Sequence, residues 1–126
     1  FMQSDACNLQ EKFDDYDLVF AGNLLERLYD PARFLALIKN RIRMDGLLVL
    51  TSTYTWQAAY TPREKWLGGF KAATGENYHT LQGISELLTP QFRMLGKPVD
   101  IPFVIRETAR KFQHSVSELS VWEKFA

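Results

Sequence analysis

The chain has 126 residues, 46% hydrophobic and 24% charged, which is typical of a soluble globular domain with one modest core. Fifteen basic residues balance fifteen acidic ones, which argues against nucleic acid or an anionic membrane as partner and favours a small neutral or zwitterionic ligand. One cysteine, two isolated histidines and no long apolar run or leader-like amino end predict a cytoplasmic protein without a disulfide, a bound metal or a membrane span.

A strand followed by an amphipathic helix is predicted in the first third of the chain. A strand is predicted at residues 17–21, because residues 18–21 form an unbroken apolar run typical of a strand buried on both faces. Asp30 and Pro31 predict the cap and the first position of a helix. Its predicted apolar stripe consists of Phe34, Leu35, Leu37, Ile38 and Ile42.

A second buried strand is predicted at residues 47–52, after Asp45 and Gly46 end the helix. Strands joined by one helix run parallel, and ligands bind at the carboxyl ends of such strands. The pattern therefore predicts a site around Ala21, Gly22 and Asn23 on one strand and around residues 52–54 on the next.

The rest of the chain is predicted to be an aromatic insertion, a helix and closing strands. Residues 53–79 lack periodicity but are rich in aromatic side chains, as in a binding loop or lid. Within them, Thr61 is predicted to open a capping box. Thr80 is predicted to cap the next helix, and strands are predicted at residues 92–97 and 115–124, with 100–113 left open.

This order of elements resembles the second half of a class I S-adenosylmethionine-dependent methyltransferase. The sequence YDLVFAGNLLERL at 16–28 resembles the fourth-strand motif of that family, and SDACNL at 4–9 resembles the phrase after its third strand, with Ser4 in place of a glycine. The resemblance implies that Asp5 and Ala6 lie at the adenine, and that Ala21, Gly22 and Asn23 border the methionine part of the cofactor. Turn formation alone is the competing interpretation of Asp5 and Asn23.

Longer phrases narrow the resemblance. YTW at 54–56, TPREKWLGGF at 61–70 and FVIRETARKFQH at 103–114 are similar to the carboxyl-terminal domain of ovothiol-biosynthesis enzymes, the 4-mercaptohistidine N1-methyltransferases. The likeness runs the length of the chain. It implies methyl transfer from S-adenosylmethionine to an imidazole nitrogen of a mercaptohistidine-like small molecule.

Residue roles in acceptor binding are assigned by chemistry, and no catalytic residue is assigned. Aromatic side chains can stack on an imidazole, arginines can hold a carboxylate and glutamates an amine. The candidates are Tyr54, Trp56, Tyr60, Arg63, Glu64, Trp66, Arg106, Arg110 and, for the amine, Glu26. The competing interpretation is that some of these rings fill a core and that the charged residues lie on an ordinary surface.

The predicted fold is therefore α/β: the carboxyl-terminal half of a Rossmann-like methyltransferase fold, with parallel central strands and an antiparallel carboxyl-terminal hairpin. Residues 1–126 form part of one domain, with an acceptor-side insertion at about 53–80. The chain opens inside an apolar phrase at Phe1 and contains no Gly-x-Gly, so we expect the glycine-rich donor-binding half to be absent and this chain alone to be inactive.

Three functions remain open at this point. The first is the N-methyltransferase, with possible self-association through an exposed sheet edge. The second is a non-catalytic Rossmann-like binding or interaction domain, since a fold does not fix a function. The third is a nicotinamide-dependent oxidoreductase, whose fingerprint would also lie outside this sequence.

Overall fold

The computed structural model describes residues 2–126, and Phe1 lies outside them. The strands are β1 (Tyr16–Gly22), β2 (Ile42–Ser52), β3 (Phe70–Lys71), β4 (Asn77–Tyr78), β5 (Phe92–Met94), β6 (Val99–Thr108) and β7 (Lys111–Lys124). The helices are α1 (Pro31–Ile38) and α2 (Thr80–Leu88), and short 3-10 turns lie at Leu25–Arg27 and Arg63–Lys65. One mixed sheet has the order β1-β2-β7-β5, with β6 also paired to β7, while β3 and β4 form a separate two-stranded ribbon.

The first strand, helix and second strand form the predicted βαβ unit. β1 and β2 pair in parallel, with Ala21 opposite Leu50 and Gly22 opposite Thr51. Helix α1 begins at Pro31, and the Asp30 side chain accepts a hydrogen bond from the Arg33 N–H at 3.2 Å. The α/β class and the parallel pairing of β1 with β2 are thus confirmed.

The predicted end of the first helix was wrong. α1 ends at Ile38, and Ile42 begins β2 instead of continuing the helical stripe. Asp45 and Gly46 lie inside β2, where Asp45 has a φ of 66° and the register against β1 is irregular. An aspartate tolerates this left-handed conformation, so the pair marks a bulge in a strand and not a helix terminus.

The closing strands are antiparallel, as predicted, but their bounds differ. β7 pairs with β2 along one side, and with β6 and β5 along the other. The strand predicted at residues 92–97 is the shorter β5 in the structure. The strand predicted at residues 115–124 is β7, which begins four residues earlier, at Lys111. The undecided residues 100–113 form the outer part of the β6–β7 hairpin, where Ile105 pairs with Gln113 and Arg106 with Phe112 across a short turn.

The core lies on one face of the sheet. Leu48, Leu50 and Trp122 are at most 2% exposed and pack in one cluster with Leu35 of α1 and Ile84 of α2. The opposite face carries Leu18 and Phe20, which are 55% and 64% exposed. Although its apolar sequence is typical of a doubly buried strand, β1 is covered on one face only within the described residues, because both helices pack on the same side.

The insertion is attached to the core by polar groups that the sequence assigned to helix caps. The Thr61 hydroxyl donates to the Leu28 carbonyl, and the Thr80 hydroxyl accepts from Trp56 Nε1 at 3.0 Å. Pro62 and His79, without side-chain hydrogen bonds, occupy the positions before the two helical segments. Both predicted caps are therefore wrong, because tertiary partners use the hydroxyls.

Truncation of one leucine on each face will test the one-sided core. We expect Leu48→Ala to lower the free energy of unfolding of this chain by about 2–5 kcal/mol, since it leaves a cavity in the core. Leu18→Ala is the matched control and should cost under about 1 kcal/mol. Urea denaturation measures both, and equal losses would mean that the Leu18 face is covered in solution.

A glycine in α2 gives a test of close packing. A Cβ at Gly83 would clash with the Leu67 carbonyl oxygen. Helix propensity alone predicts that Gly83→Ala stabilises the chain by about 1 kcal/mol, whereas the contact predicts a net loss exceeding about 1 kcal/mol. The exposed Gln82→Ala is the control in the same helix, and a higher melting temperature for Gly83→Ala would contradict the contact.

Candidate functional site

A cleft of about 180 Å³ lies at the carboxyl ends of β1 and β2, where the sequence predicted a site. We call it the edge cleft. Three segments line it: Asn23, Glu26 and Arg27 after β1; Thr53, Thr55, Gln57 and Tyr60 after β2; and Phe103, Ile105, Gln113 and Ser115 from the β6–β7 hairpin. Its volume is below the roughly 300–1,000 Å³ of pockets for drug-sized ligands, so it suits a small molecule.

Asn23 forms the turn that leaves β1. Its φ is 49°, and its backbone N–H donates to the Thr51 carbonyl oxygen at 2.8 Å and to Thr51 Oγ1 at 3.0 Å. Its side-chain Oδ1 accepts from Ser117 Oγ at 2.6 Å. Asn23 thus adopts the left-handed turn and also lines the cleft, so the two interpretations of this residue are compatible.

Glu26 is a buried carboxylate in the cleft wall. It is 6% exposed, and its Oε2 accepts a hydrogen bond from Ser52 Oγ at 2.7 Å. Ser52 Oγ in turn accepts from the Tyr54 N–H at 3.0 Å. The serine therefore connects the segment after β2 to the segment after β1 and fixes one carboxylate oxygen.

Arg27 and Tyr60 give the cleft a cationic and aromatic surface. The Arg27 guanidinium carbon lies 4.6 Å from the centre of the Tyr60 ring, a cation–π arrangement. Both side chains line the edge cleft, and Tyr60 is 42% exposed. Among the predicted acceptor-binding residues, Tyr60 and Glu26 are the ones that the structure brings to this cleft.

Tyr54 faces another depression, between α2 and β7. Its hydroxyl donates to Glu118 Oε1 at 2.8 Å, and both residues line this depression with His79 and Ser85. Burial, followed by the hydrogen bond to Glu118, raises the pKa of the Tyr54 phenol well above its ordinary value. Tyr54 is therefore a neutral hydroxyl over the physiological pH range, and it is not at the edge cleft.

The two tryptophans predicted to bind the acceptor also lie elsewhere. Trp56 is 8% exposed and belongs to the core cluster. Trp66 Nε1 donates to the Thr61 carbonyl at 2.9 Å, and Arg63 lies 5.7 Å from the centre of its ring. Arg63, Glu64 and Trp66 line a separate shallow depression with Phe70.

Arg106 and Arg110 lie at the end of the β6–β7 hairpin. Both are exposed, and Arg106 Nε donates to the Thr108 carbonyl at 3.2 Å. Neither lines the edge cleft, although the neighbouring Ile105 and Gln113 do.

The two residues predicted to contact adenine lie before β1. Asp5 Oδ1 accepts from the Cys7 N–H at 2.9 Å, and Oδ2 accepts from the Tyr29 hydroxyl at 2.7 Å. Ala6 is partly buried against the core. Ala21 is also buried, whereas Gly22 is exposed at the end of β1.

Thr53 lies in the predicted range 52–54 and lines the cleft, whereas the sequence reasoning missed the polar cleft residues Thr55, Gln57, Gln113 and Ser115. The last two belong to β7 and are separated by one position, as residues on one face of a strand must be. Together with Ser117, they form an alternating polar series that indicates one face of the hairpin. Nothing local shows that this face meets residues 23–27, because the contact joins segments about ninety residues apart in the sequence.

The contact between Asp5 and Tyr29 can be tested by titration. The hydrogen bond from the Tyr29 hydroxyl to Asp5 raises the pKa of Tyr29 to about 12. Because the folded-state pKa exceeds the unfolded one, this contact stabilises the fold below about pH 10 and is lost as pH rises toward 12. We expect Asp5→Ala to return this pKa toward the ordinary tyrosine value, measured by phenolate absorbance against Tyr29→Phe. An unchanged titration in Asp5→Ala would contradict the contact.

Two statements about other classes of site hold for residues 2–126. No group of three or more His, Cys, Asp or Glu side chains is placed to hold a metal ion. Neither helix is long and apolar enough to cross a membrane.

Comparison with known proteins gives a likeness of fold. No protein-family model and no curated protein matches the chain. A structure solved in work on the conversion of a disulfide bond into a thioacetal group during echinomycin biosynthesis has a TM-score of 0.61 and 11% identity, covering 97% of this chain and 54% of that one. A SAM-dependent methyltransferase from Methanosarcina mazei has a TM-score of 0.55 and 19% identity, covering 97% of this chain and 65% of that one. The chain thus has a methyltransferase-like α/β fold and spans between about half and two thirds of these proteins.

Proposed function

We propose that the chain is the acceptor-side part of a class I S-adenosylmethionine-dependent methyltransferase domain. The likeness of fold supports this, as does the fact that the two solved proteins are longer than the part matched here. The observation that carries the proposal is the edge cleft at the carboxyl ends of parallel β1 and β2, where ligands of such sheets bind. Residues 1–126 would then form one domain together with a glycine-rich half outside this sequence.

The donor side of the proposal concerns Ala21, Gly22 and Asn23. S-adenosylmethionine would supply an electrophilic methyl group. Gly22 has no side chain and is exposed at the end of β1, with the Phe20 ring over its Cα. Asn23 keeps its amide N–H groups for a ligand, since Oδ1 is the atom that Ser117 engages. Asp5 and Ala6 remain the proposed adenine contacts, with Asp5 Oδ2 shared with the Tyr29 hydroxyl.

The proposed acceptor is the imidazole of 4-mercaptohistidine, methylated on nitrogen in ovothiol biosynthesis. The phrases at 54–56, 61–70 and 103–114 support this choice, and the small cleft beside the Tyr60 ring suits an imidazole. A neutral imidazole nitrogen needs positioning more than a strong base. The predicted contacts that lie outside the edge cleft, among them Trp66 and Arg106, stay predictions. We also propose a cytoplasmic location, on the single cysteine.

A binding or interaction domain is the second candidate, and one observation favours it. β1 is an edge strand of the sheet, and its side chains Leu18 and Phe20 are exposed. An unpaired apolar edge favours pairing with another chain, so self-association through β1 is part of this proposal.

Transfer of label from S-adenosylmethionine will decide between the two candidates. We expect the full-length protein that contains this chain to transfer isotope-labelled methyl to 4-mercaptohistidine. Asn23→Ala should lower the rate by about 10- to 100-fold, because Asn23 shapes the turn at the proposed reacting centre. The exposed Asn40→Ala, at the far end of α1, is the control. Wild-type protein that binds 4-mercaptohistidine but transfers no label to it would favour the binding domain.

A further inference from the structure

The edge cleft contains one negative and one positive side chain, from consecutive residues. Glu26 and Arg27 are the charged groups among its described lining residues, and the others are uncharged. Ion pairs in residues 2–126 involve other side chains, so neither residue neutralises the other or is neutralised elsewhere. The cleft is therefore neutral overall but strongly polarised.

One carboxylate oxygen of Glu26 accepts a hydrogen bond within the described residues, and the other does not. Ser52 donates to Oε2, and no described residue donates to Oε1. Gln91 Oε1, and not a Glu26 oxygen, is the fully buried side-chain atom without a partner in residues 2–126. Oε1 is therefore not fully shielded from solvent, and Glu26 lines the cleft. Burying a carboxylate without a cation is costly, so this oxygen is suited to a cationic group on a ligand.

The Arg27 side chain is held in place, and its guanidinium N–H groups have no carboxylate or carbonyl acceptor among the described residues. It lies over the Tyr60 ring. The contact with the ring restricts the side chain and leaves its donors free to bind a carboxylate with two parallel hydrogen bonds. This is the role that the sequence assigned to Arg63, Arg106 and Arg110, which do not line the cleft.

We propose that the edge cleft binds the head group of a free α-amino acid, with its ammonium at Glu26 and its carboxylate at Arg27. The inference rests on the proposed function, and it assigns the residues that hold the two charged groups of its amino-acid acceptor. A histidine within a peptide does not fit, because its amine and carboxyl are converted to amides that carry neither charge. The remaining uncharged lining, from Thr53 to Gln113, surrounds the side chain of the ligand.

Three related probes separate the two charges. L-Histidine carries both charged groups, histamine lacks the carboxylate and imidazole-4-propionate lacks the ammonium. In calorimetry on the full-length protein, we expect Glu26→Gln to weaken L-histidine and histamine by roughly 10-fold or more and to leave imidazole-4-propionate within about 2-fold. Arg27→Gln should weaken L-histidine and imidazole-4-propionate by a similar factor and leave histamine unchanged.

The test includes a control variant and a second charge variant that stays informative if the first charge variant does not fold. Glu11→Gln removes an exposed carboxylate outside the cleft, at a residue with no proposed role in binding, and should change none of the three affinities. Arg27 is exposed, so Arg27→Gln remains informative if Glu26→Gln does not fold, which circular dichroism would reveal. Equal losses for all three probes, or no binding of L-histidine to a wild-type protein that transfers methyl groups, would overturn the inference. Charge-selective binding without any methyl transfer would overturn the proposed function and leave the head-group site standing.

Discussion

Parallel pairing of β1 and β2 is the constraint on which the rest of the site depends. It brings Gly22 opposite Thr51, so the turn at Asn23 and the hydroxyl of Ser52 lie at the same edge of the sheet. Asn23 is then held by the Thr51 carbonyl, and Glu26 is held by Ser52. Antiparallel pairing would place these residues at opposite ends. The connection through α1 is what makes the parallel arrangement accessible to so short a chain.

The core and the site use the two ends of the same strands. Within β2, Leu48 and Leu50 are buried against the helices, and the strand continues into the buried polar residues Thr51 and Ser52. The apolar part stabilises the pairing, and the polar part has partners available only after pairing has formed. Ser52 illustrates this, because its hydroxyl both donates to Glu26 and accepts from the Tyr54 backbone. The geometry of the cleft is therefore a consequence of the core.

The part of the fold that could be predicted from the sequence is the part decided locally. An apolar run, an Asp-Pro cap and a second apolar run identified β1, the start of α1 and most of β2. The hydroxyls of Thr61 and Thr80 were misassigned because a threonine before a helix looks the same whether it caps that helix or bonds a distant carbonyl or indole. The cleft was located at the correct edge by topology, and Glu26 and Tyr60 were among the candidates. Arg27 was not, since its role depends on a ring thirty-three residues further along the chain.

One wall of the cleft is fixed by the core, and the opposite wall can vary in sequence. Glu26 and Arg27 lie in a short turn between β1 and α1, and Ser52 ties this turn to the core. The opposite wall comes from the β6–β7 hairpin, where residues 103–115 extend beyond the pairing of β7 with β2 and β5. Substitutions at Phe103 or Gln113 therefore change the shape of the cleft without disturbing the core, whereas a change at Ser52 affects both. Because Glu26 and Arg27 are tied to the core and the hairpin is not, substitutions in the hairpin can change which ligand side chain fits. The proposed site for the amino-acid head group stays the same.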